Sequence, residues 1–226
     1  MDRAAPMTPT RLRTPRAAAI AGIVFSVLLA LALALIRLSV PADAADAGAW
    51  LSDEARRRTV GLALNLVPFA GIAFLWFIGV IRDRIGTHED RFFATVFLGS
   101  GLLFVAMLFA AAAVAGGLLS DPVLASGHVP PVVVWGLERR ITFALLNVYA
   151  MRMAGVFIIS TTTIGMRTGV VPRWLAVIGY VAAAILLLGG TISTWVNLVL
   201  PAWALVLSVE TLVASFRADH ARTASA

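Results

Sequence analysis

Two ionisable residues stand inside long apolar stretches of the sequence and are the first candidates for chemistry. Arg152 lies near the middle of the stretch 141–166, and Glu210 lies in the second half of the stretch 194–216. A charge at membrane depth is costly and is normally paired or functional. We therefore predict an ion pair between Arg152 and Glu210, which either locks two helices together or takes part in ligand binding or gating.

Other polar residues of the stretch 141–166 share a helical face with Arg152. At about 100° per residue, a sector of about 80° contains Thr142, Tyr149, Arg152, Ser160 and Thr163. A polar stripe of this kind should face protein or water rather than lipid. We expect Tyr149 to orient a ligand that Arg152 binds.

Asn65 and Asn197 complete the set of candidate ligand-binding residues. Each precedes a proline in an apolar stretch, Pro68 and Pro201 respectively. A proline removes one hydrogen bond from a helix and kinks it, so a nearby amide can bond to the freed backbone or to a ligand. Broken helices around a midplane site are typical of transporters. The alternative is that the kinks serve helix packing alone.

The residue types needed for catalysis and metal binding are scarce. The sequence has no cysteine and no lysine, which excludes thiol chemistry, iron–sulfur clusters and lysine Schiff bases. All three histidines, His88, His128 and His220, lie outside the apolar stretches, so no intramembrane base is present for a serine nucleophile. We predict no catalytic residue, no metal site, no cofactor and no enzymatic activity.

The composition places the chain in a membrane. Of its 226 residues, 60% are hydrophobic and 13% are charged, whereas a soluble domain has about 25% charged residues. The net charge of +6 comes from arginines that cluster at the ends of apolar stretches. Membrane topology explains such clusters, so we predict no nucleic-acid partner.

Six apolar stretches have the length of about 20 residues that a membrane span requires. They cover residues 17–36, 59–81, 92–119, 141–166, 174–190 and 194–216. None alternates as barrel strands do, so we predict an all-α, six-span transmembrane helix bundle over 17–216. The Arg-rich residues 1–16 and the residues 217–226 form the flanking tails.

The distribution of arginine predicts that both tails are cytoplasmic. Arg37 and the triplet 56–58 conflict with this topology, because they fall in the first external loop. A second interpretation of the N-terminus is a signal peptide cleaved near Ala42-Asp43-Ala44, which would leave five spans.

Small residues recur at helical spacing and predict close contacts between helices. They include Gly22 and Ser26 in the first stretch, and residues 99–101 and 116–117 in the third. Such faces serve packing within the bundle or, alternatively, association with a second copy. The expected partners are the lipid bilayer and either other membrane subunits or a homo-oligomer.

Two segments carry a resemblance to known proteins. The residues 68–84 (PFAGIAFLWFIGVIRDR) and 89–101 (EDRFFATVFLGSG) resemble a group of bacterial multi-pass membrane proteins of about six spans with no assigned activity. The segment 171–176 (VPRWLA) is similar to one shared by several small membrane proteins. The resemblance covers about half the chain. It implies a bacterial cytoplasmic (inner) membrane protein, and it carries over no functional residue.

Two functions are compatible with these observations. The first is a non-catalytic accessory or structural subunit of a membrane assembly. The alternative is a binding or transport protein for a small anionic or amphipathic solute, with Arg152 and Glu210 in the bundle interior. In that case Tyr149, Asn65 and Asn197 would orient the solute.

Overall fold

A computed structural model describes residues 14–40, 49–85, 91–120, 124, 131–169, 171–189 and 193–224. These residues form helices and short connections, with no strand among them. The helices are α1 (Thr14–Ser39), α2 (Ala49–Ser52), α3 (Glu54–Ile85), α4 (Arg91–Leu119), α5 (Val132–Phe143), α6 (Met151–Arg167), α7 (Arg173–Gly189) and α8 (Val199–Ala224). A π-helical segment, Ala144–Ala150, joins α5 to α6, and a 3-10 turn, Thr194–Leu198, leads into α8.

Some sequence predictions fall on residues outside this description. They concern the tail residues 1–13, the possible cleavage site at 42–44, and the histidine-containing segments 86–90 and 125–130.

Five of the helical segments are long and apolar enough to cross a membrane. They are α1, α3, α4, the continuous α5–α6 helix, and α8 with its preceding turn. The all-α character expected from the sequence is therefore confirmed for the described residues, and five helices have the length and composition of membrane spans. The fifth apolar stretch, 174–190, forms α7, whose 17 residues extend about 26 Å at 1.5 Å per residue. This length is less than the bilayer core of about 30 Å, so the sixth span stays a prediction.

The long helices meet around a cluster of aromatic side chains. Helix α1 packs on α3 and α8, α4 packs on α3 and α6, and α7 packs on α6 and α8. The ring of Phe74 on α3 lies 4.6 Å from Phe25, 5.1 Å from Phe104 and 5.0 Å from Phe157, measured between centroids. All four phenylalanines are fully buried, so each of four helices contributes to one common core.

Two cation–π contacts mark the opposite ends of the bundle. Near the start of α1, the guanidinium of Arg16 lies 4.4 Å from the ring centroid of Phe216 on α8. Near the end of α1, the guanidinium of Arg37 lies 5.7 Å from the ring centroid of Trp195. Helices α1 and α8 therefore run antiparallel. We refer to the two ends as the Arg16 end and the Arg37 end.

Helices α6 and α7 form an antiparallel pair in very close contact. Gly169, with φ of 71°, ends the first helix in the left-handed conformation that glycine tolerates. Further along, a Cβ atom on Gly155 would lie only 3.2 Å from the carbonyl oxygen of Ala183. This pairing places the last turn of α7, which ends at Gly189, beside Arg152.

The prolines differ in their effect on the helices. Pro68 lies inside α3, as predicted. Pro201 does not interrupt a helix, because the helix begins only at Val199 and is preceded by the 3-10 turn. The prediction of a kink at Pro201 was wrong, since a proline in the first turn of a helix removes no intrahelical hydrogen bond.

Only some of the small residues lie at helix contacts. Gly22 faces Ser208 and Phe77, and Gly101 faces Ile78 and Phe157. Close packing at these two glycines is confirmed. By contrast, a Cβ atom on Gly99 or Gly116 would meet no atom within 4 Å.

Candidate functional site

The main candidate site is a cavity at the Arg37 end of the bundle. Its volume is about 530 Å³, within the range of about 300–1,000 Å³ typical of small-molecule sites. The cavity lies between α1, α3, α4 and the α5–π segment, and residues of the 3-10 turn also line it. Most lining side chains are apolar, among them Leu29, Leu33, Leu64, Leu108, Leu118 and Leu146.

A pair of buried asparagines forms a polar patch in the cavity wall. Asn197 donates from Nδ2 to Oδ1 of Asn147 across 3.0 Å. Asn147 donates from its own Nδ2 to the carbonyl oxygen of Phe143 across 3.1 Å. Because this second bond fixes the orientation of the Asn147 amide, it also fixes which end of the Asn197 amide faces Asn147.

The Oδ1 atom of Asn197 has an unused capacity to accept a hydrogen bond. The side chain is 95% buried, and Oδ1 receives no donor from the described residues. A buried acceptor left without a donor costs about 1–3 kcal/mol. Asn197 lines the cavity, but its Oδ1 is itself covered by protein, so this oxygen presents no open acceptor to a ligand in the cavity.

The π-helical segment positions Asn147. Its hydrogen-bond pattern is wider than that of an α-helix, as the bond from the Met151 N–H to the Leu146 oxygen shows. Short π-helical insertions in α-helices occur frequently at functional sites. Here the insertion supplies both Leu146 and Asn147 to the cavity lining.

Charged and aromatic residues also line the cavity. Arg37 comes from α1, and Glu138 and Arg139 come from α5. With two guanidinium groups and one carboxylate, this part of the described lining has a positive net charge, which favours an anionic ligand group. The tryptophans Trp50, Trp135 and Trp195 line the same cavity, and tryptophan is enriched where membrane meets water.

The structure places one of the five predicted site residues in this cavity. Asn197 lines it. Asn65, Tyr149 and Arg152 have exposed side chains, and Glu210 is half-buried; none of these four contributes to the cavity lining. The predicted constellation is therefore not brought together.

The predicted pair between Arg152 and Glu210 was wrong. No ion pair joins these two described residues, and the Nη1 of Arg152 instead donates to the carbonyl oxygen of Val148 across 2.9 Å. Phe157 and Trp203, with ring centroids 6.4 Å apart, lie at the same depth on α6 and α8. Arg152 precedes Phe157 by five residues, towards the Arg37 end, and Glu210 follows Trp203 by seven residues, towards the Arg16 end. At 1.5 Å per residue, Arg152 and Glu210 are therefore separated by about 18 Å along the bundle.

The predicted interior location of Arg152 was also wrong, because its side chain is exposed on the outside of α6. The insertion of an arginine at the centre of a membrane helix costs about 2.5–3.5 kcal/mol on translocon scales. A side chain that extends along its own helix towards the nearer end reduces this cost.

The predicted polar stripe divides into a covered part and an exposed part. Ser160 is buried and donates to the Val156 oxygen across 2.9 Å. Thr163 shares a hydrogen bond of 3.0 Å with the hydroxyl of Tyr180 on α7. Tyr149 is 57% exposed. The stripe was calculated for a uniform α-helix, and the π-helical segment also changes the rotation between residues.

Sequence reasoning did not identify Asn147, Arg37, Glu138 or Arg139 as site residues. Asn147 is the only amide side chain in the stretch 141–166, and this signal could have found it. It lies on the opposite side of the helical wheel from the stripe that was singled out. Arg37 was interpreted for its effect on topology alone, and Glu138 and Arg139 lie outside the six apolar stretches in which charged residues were sought.

No protein-family model, curated protein or solved structure matches the chain. The resemblance to bacterial multi-pass membrane proteins therefore stays a prediction. Among the described residues, no group of three or more histidine, aspartate or glutamate side chains could hold a metal ion.

Proposed function

We propose that this chain is a non-catalytic binding protein for an amphipathic solute with an anionic head. The solute occupies the cavity at the Arg37 end. The observation that supports this function is the combination, in one cavity of about 530 Å³, of an apolar lining with Arg37 and the Asn147–Asn197 pair. Pockets that are mostly apolar and hold a few fixed polar groups are typical of small-molecule sites.

We further propose the membrane setting expected from the sequence. The chain is a six-span protein of the bacterial cytoplasmic membrane with both termini in the cytoplasm. The short helix α7 crosses the membrane with local thinning of the bilayer. In this orientation the Arg37 end and its cavity lie on the external side.

The aromatic core limits how far a ligand can travel. Phe25, Phe74 and Phe104 are fully buried in the middle of the bundle, between the cavity and the Arg16 end. Binding requires no movement of these rings. Transport across the membrane would require the helices that carry them to separate.

A structural role in a larger membrane assembly, the first expectation from the sequence, stays a prediction. A partner would cover exposed apolar side chains such as Phe69 and Trp76, which are 62% and 69% exposed. Lipid covers such side chains equally well, so their exposure does not favour a protein partner.

A cavity-filling variant tests the proposed function. Ala112 lines the cavity from α4, and Ala106 on the same helix is exposed and does not line it. We expect native mass spectrometry of gently extracted wild-type protein to show a bound small molecule. This molecule should be absent from Ala112→Phe and present in the matched control Ala106→Phe. Identical bound molecules on all three proteins would contradict the proposal.

A further inference from the structure

Arg152 directs its guanidinium towards one end of the bundle. Its Nη1 donates to the carbonyl oxygen of Val148, 2.9 Å away and one helical turn nearer the Arg37 end. Long cationic side chains in membrane helices extend in this way towards the headgroups. The exposed side chain lies on the outside of α6, away from the cavity.

The depth of Arg152 brings the headgroup region within its reach. Asn147 and Asn197 are level with each other, because they share a hydrogen bond of 3.0 Å. Arg152 lies about 7.5 Å from this level along its helix, in the direction of the Arg16 end. Trp195, two residues from Asn197, contacts Arg37 at the end of α1, so the end of the bundle is only slightly further away.

The surface around Arg152 is open on the same side of the helix. The last turn of α7 lies beside Arg152, and the helix ends at Gly189. Tyr149, one turn nearer the Arg37 end, is 57% exposed. A guanidinium and a phenol hydroxyl exposed one turn apart provide the donors that a phosphate accepts.

The chain does not supply an anion for Arg152 from its described residues. Ion pairs between described residues join Arg56 to Asp53 and Arg58 to Glu54, both at the start of α3, and neither involves Arg152. Glu210 lies about 18 Å away along the bundle axis. The counterion must therefore come from outside this part of the chain.

We infer that Arg152, together with Tyr149, binds the phosphate of a phospholipid headgroup in the leaflet at the Arg37 end. The direction of the guanidinium favours a headgroup over an acidic side chain on a partner helix, which would meet Arg152 at its own depth. A free phosphate has the same binding chemistry, and the experiment separates these two sources. The inference does not depend on the cavity or on its ligand.

The experiment titrates detergent-solubilised protein with dioleoyl-phosphatidylglycerol and counts bound lipids by native mass spectrometry. For Arg152→Gln we expect the affinity of the tightest site to fall about tenfold. Arg152→Lys should retain part of this affinity, and Tyr149→Phe should lower the affinity about twofold. Arg140→Gln, at an exposed arginine on α5, is the matched control and should leave the affinity unchanged. Removal of an exposed charge preserves the fold, which circular dichroism verifies.

Competition with inorganic phosphate identifies the source of the anion. If inorganic phosphate displaces the lipid, Arg152 binds a phosphate group but its ligand is a soluble phosphate. If inorganic phosphate does not displace the lipid, the phospholipid headgroup is the ligand. An equal loss of affinity in Arg140→Gln, or no loss in Arg152→Gln, would overturn the inference. The loss of a co-purifying protein from Arg152→Gln, with lipid binding unchanged, would also overturn it and assign a partner helix.

Discussion

Asn197 and Asn147 are joined by a hydrogen bond of 3.0 Å, although they stand 50 residues apart in the chain. The bond connects the π-helical segment to the 3-10 turn that begins the last long helix. Both residues are buried, and both line the cavity. The same pair therefore fixes two elements of the bundle and provides the polar part of the proposed binding site.

The first prediction concerns the strength of this bond. Asn147→Ala, Asn197→Ala and the double variant form a double-mutant cycle. Since hydrogen bonds between membrane helices average about 0.6 kcal/mol and reach about 1.7 kcal/mol, we expect a coupling energy in this range. Reversible unfolding in bicelles measures it. Strict additivity of the two single variants would show that the bond does not contribute to stability.

The second prediction concerns the aromatic core. Phe74 is fully buried and contacts four other phenylalanines. Phe74→Ala should lower the free energy of unfolding by about 3–5 kcal/mol, because it leaves a cavity at the centre of the bundle. Phe69→Ala on the same helix is the control, since Phe69 is 62% exposed. If the two variants lose stability equally, the core is not where the structure places it.

The third prediction tests the contact between α1 and α8. A Cβ atom on Gly22 would overlap the Oγ atom of Ser208 and approach the ring of Phe77 to 2.8 Å. Gly22→Ala should therefore destabilise the protein by about 1–3 kcal/mol. Addition of Ser208→Ala should restore part of this loss.

Gly99→Ala is the control for the Gly22 variant, because its new methyl group would meet no atom within 4 Å. Its stability should match that of the wild type. Thermal unfolding in detergent compares all four proteins. A Gly22→Ala variant as stable as Gly99→Ala would rule out the close approach of the two helices.

The fourth prediction concerns the charge of the ligand. Arg37 lines the cavity and lies over the ring of Trp195. A hydrogen bond to a charged group contributes about 1.5–3 kcal/mol, so Arg37→Gln should weaken the binding of dodecyl phosphate at least about tenfold. Binding of dodecanol, which has the same chain without the charge, should change little. Isothermal titration calorimetry of both amphiphiles gives the comparison.

Arg173→Gln is the control for the Arg37 variant, because Arg173 is exposed and begins α7 at the opposite end of the bundle. Equal weakening of dodecyl phosphate by the two variants would indicate a general effect of net charge. Such a result would remove Arg37 from the proposed site.

The sequence predicted the helices well because the length of an apolar run determines whether a helix can span a membrane. It also singled out Asn197, because this amide precedes Pro201, and the structure places Asn197 in the cavity wall. It could not place Arg152 and Glu210 relative to each other. Their depths depend on how far each helix extends past its neighbours, and this is set by side-chain packing such as that between Phe157 and Trp203.

The location of the cavity also could not be predicted from the periodicity of apolar residues in the sequence. The cavity is enclosed jointly by α1, α3, α4 and the α5–π segment, and no single helix records this arrangement in its pattern. The π-helical segment itself carries no proline or glycine that would have indicated an irregular helix.

Photoaffinity labelling tests the central claim most directly. The probe is a dodecyl phosphate analogue with a photoreactive diazirine at the end of its alkyl chain, and peptide mass spectrometry locates the labelled residues. We predict labels on Leu64, Leu108 and Leu146, which line the cavity, and their loss in Ala112→Phe. Labels confined to exposed residues such as Leu62 and Leu102, unchanged in Ala112→Phe, would contradict a binding site inside the bundle.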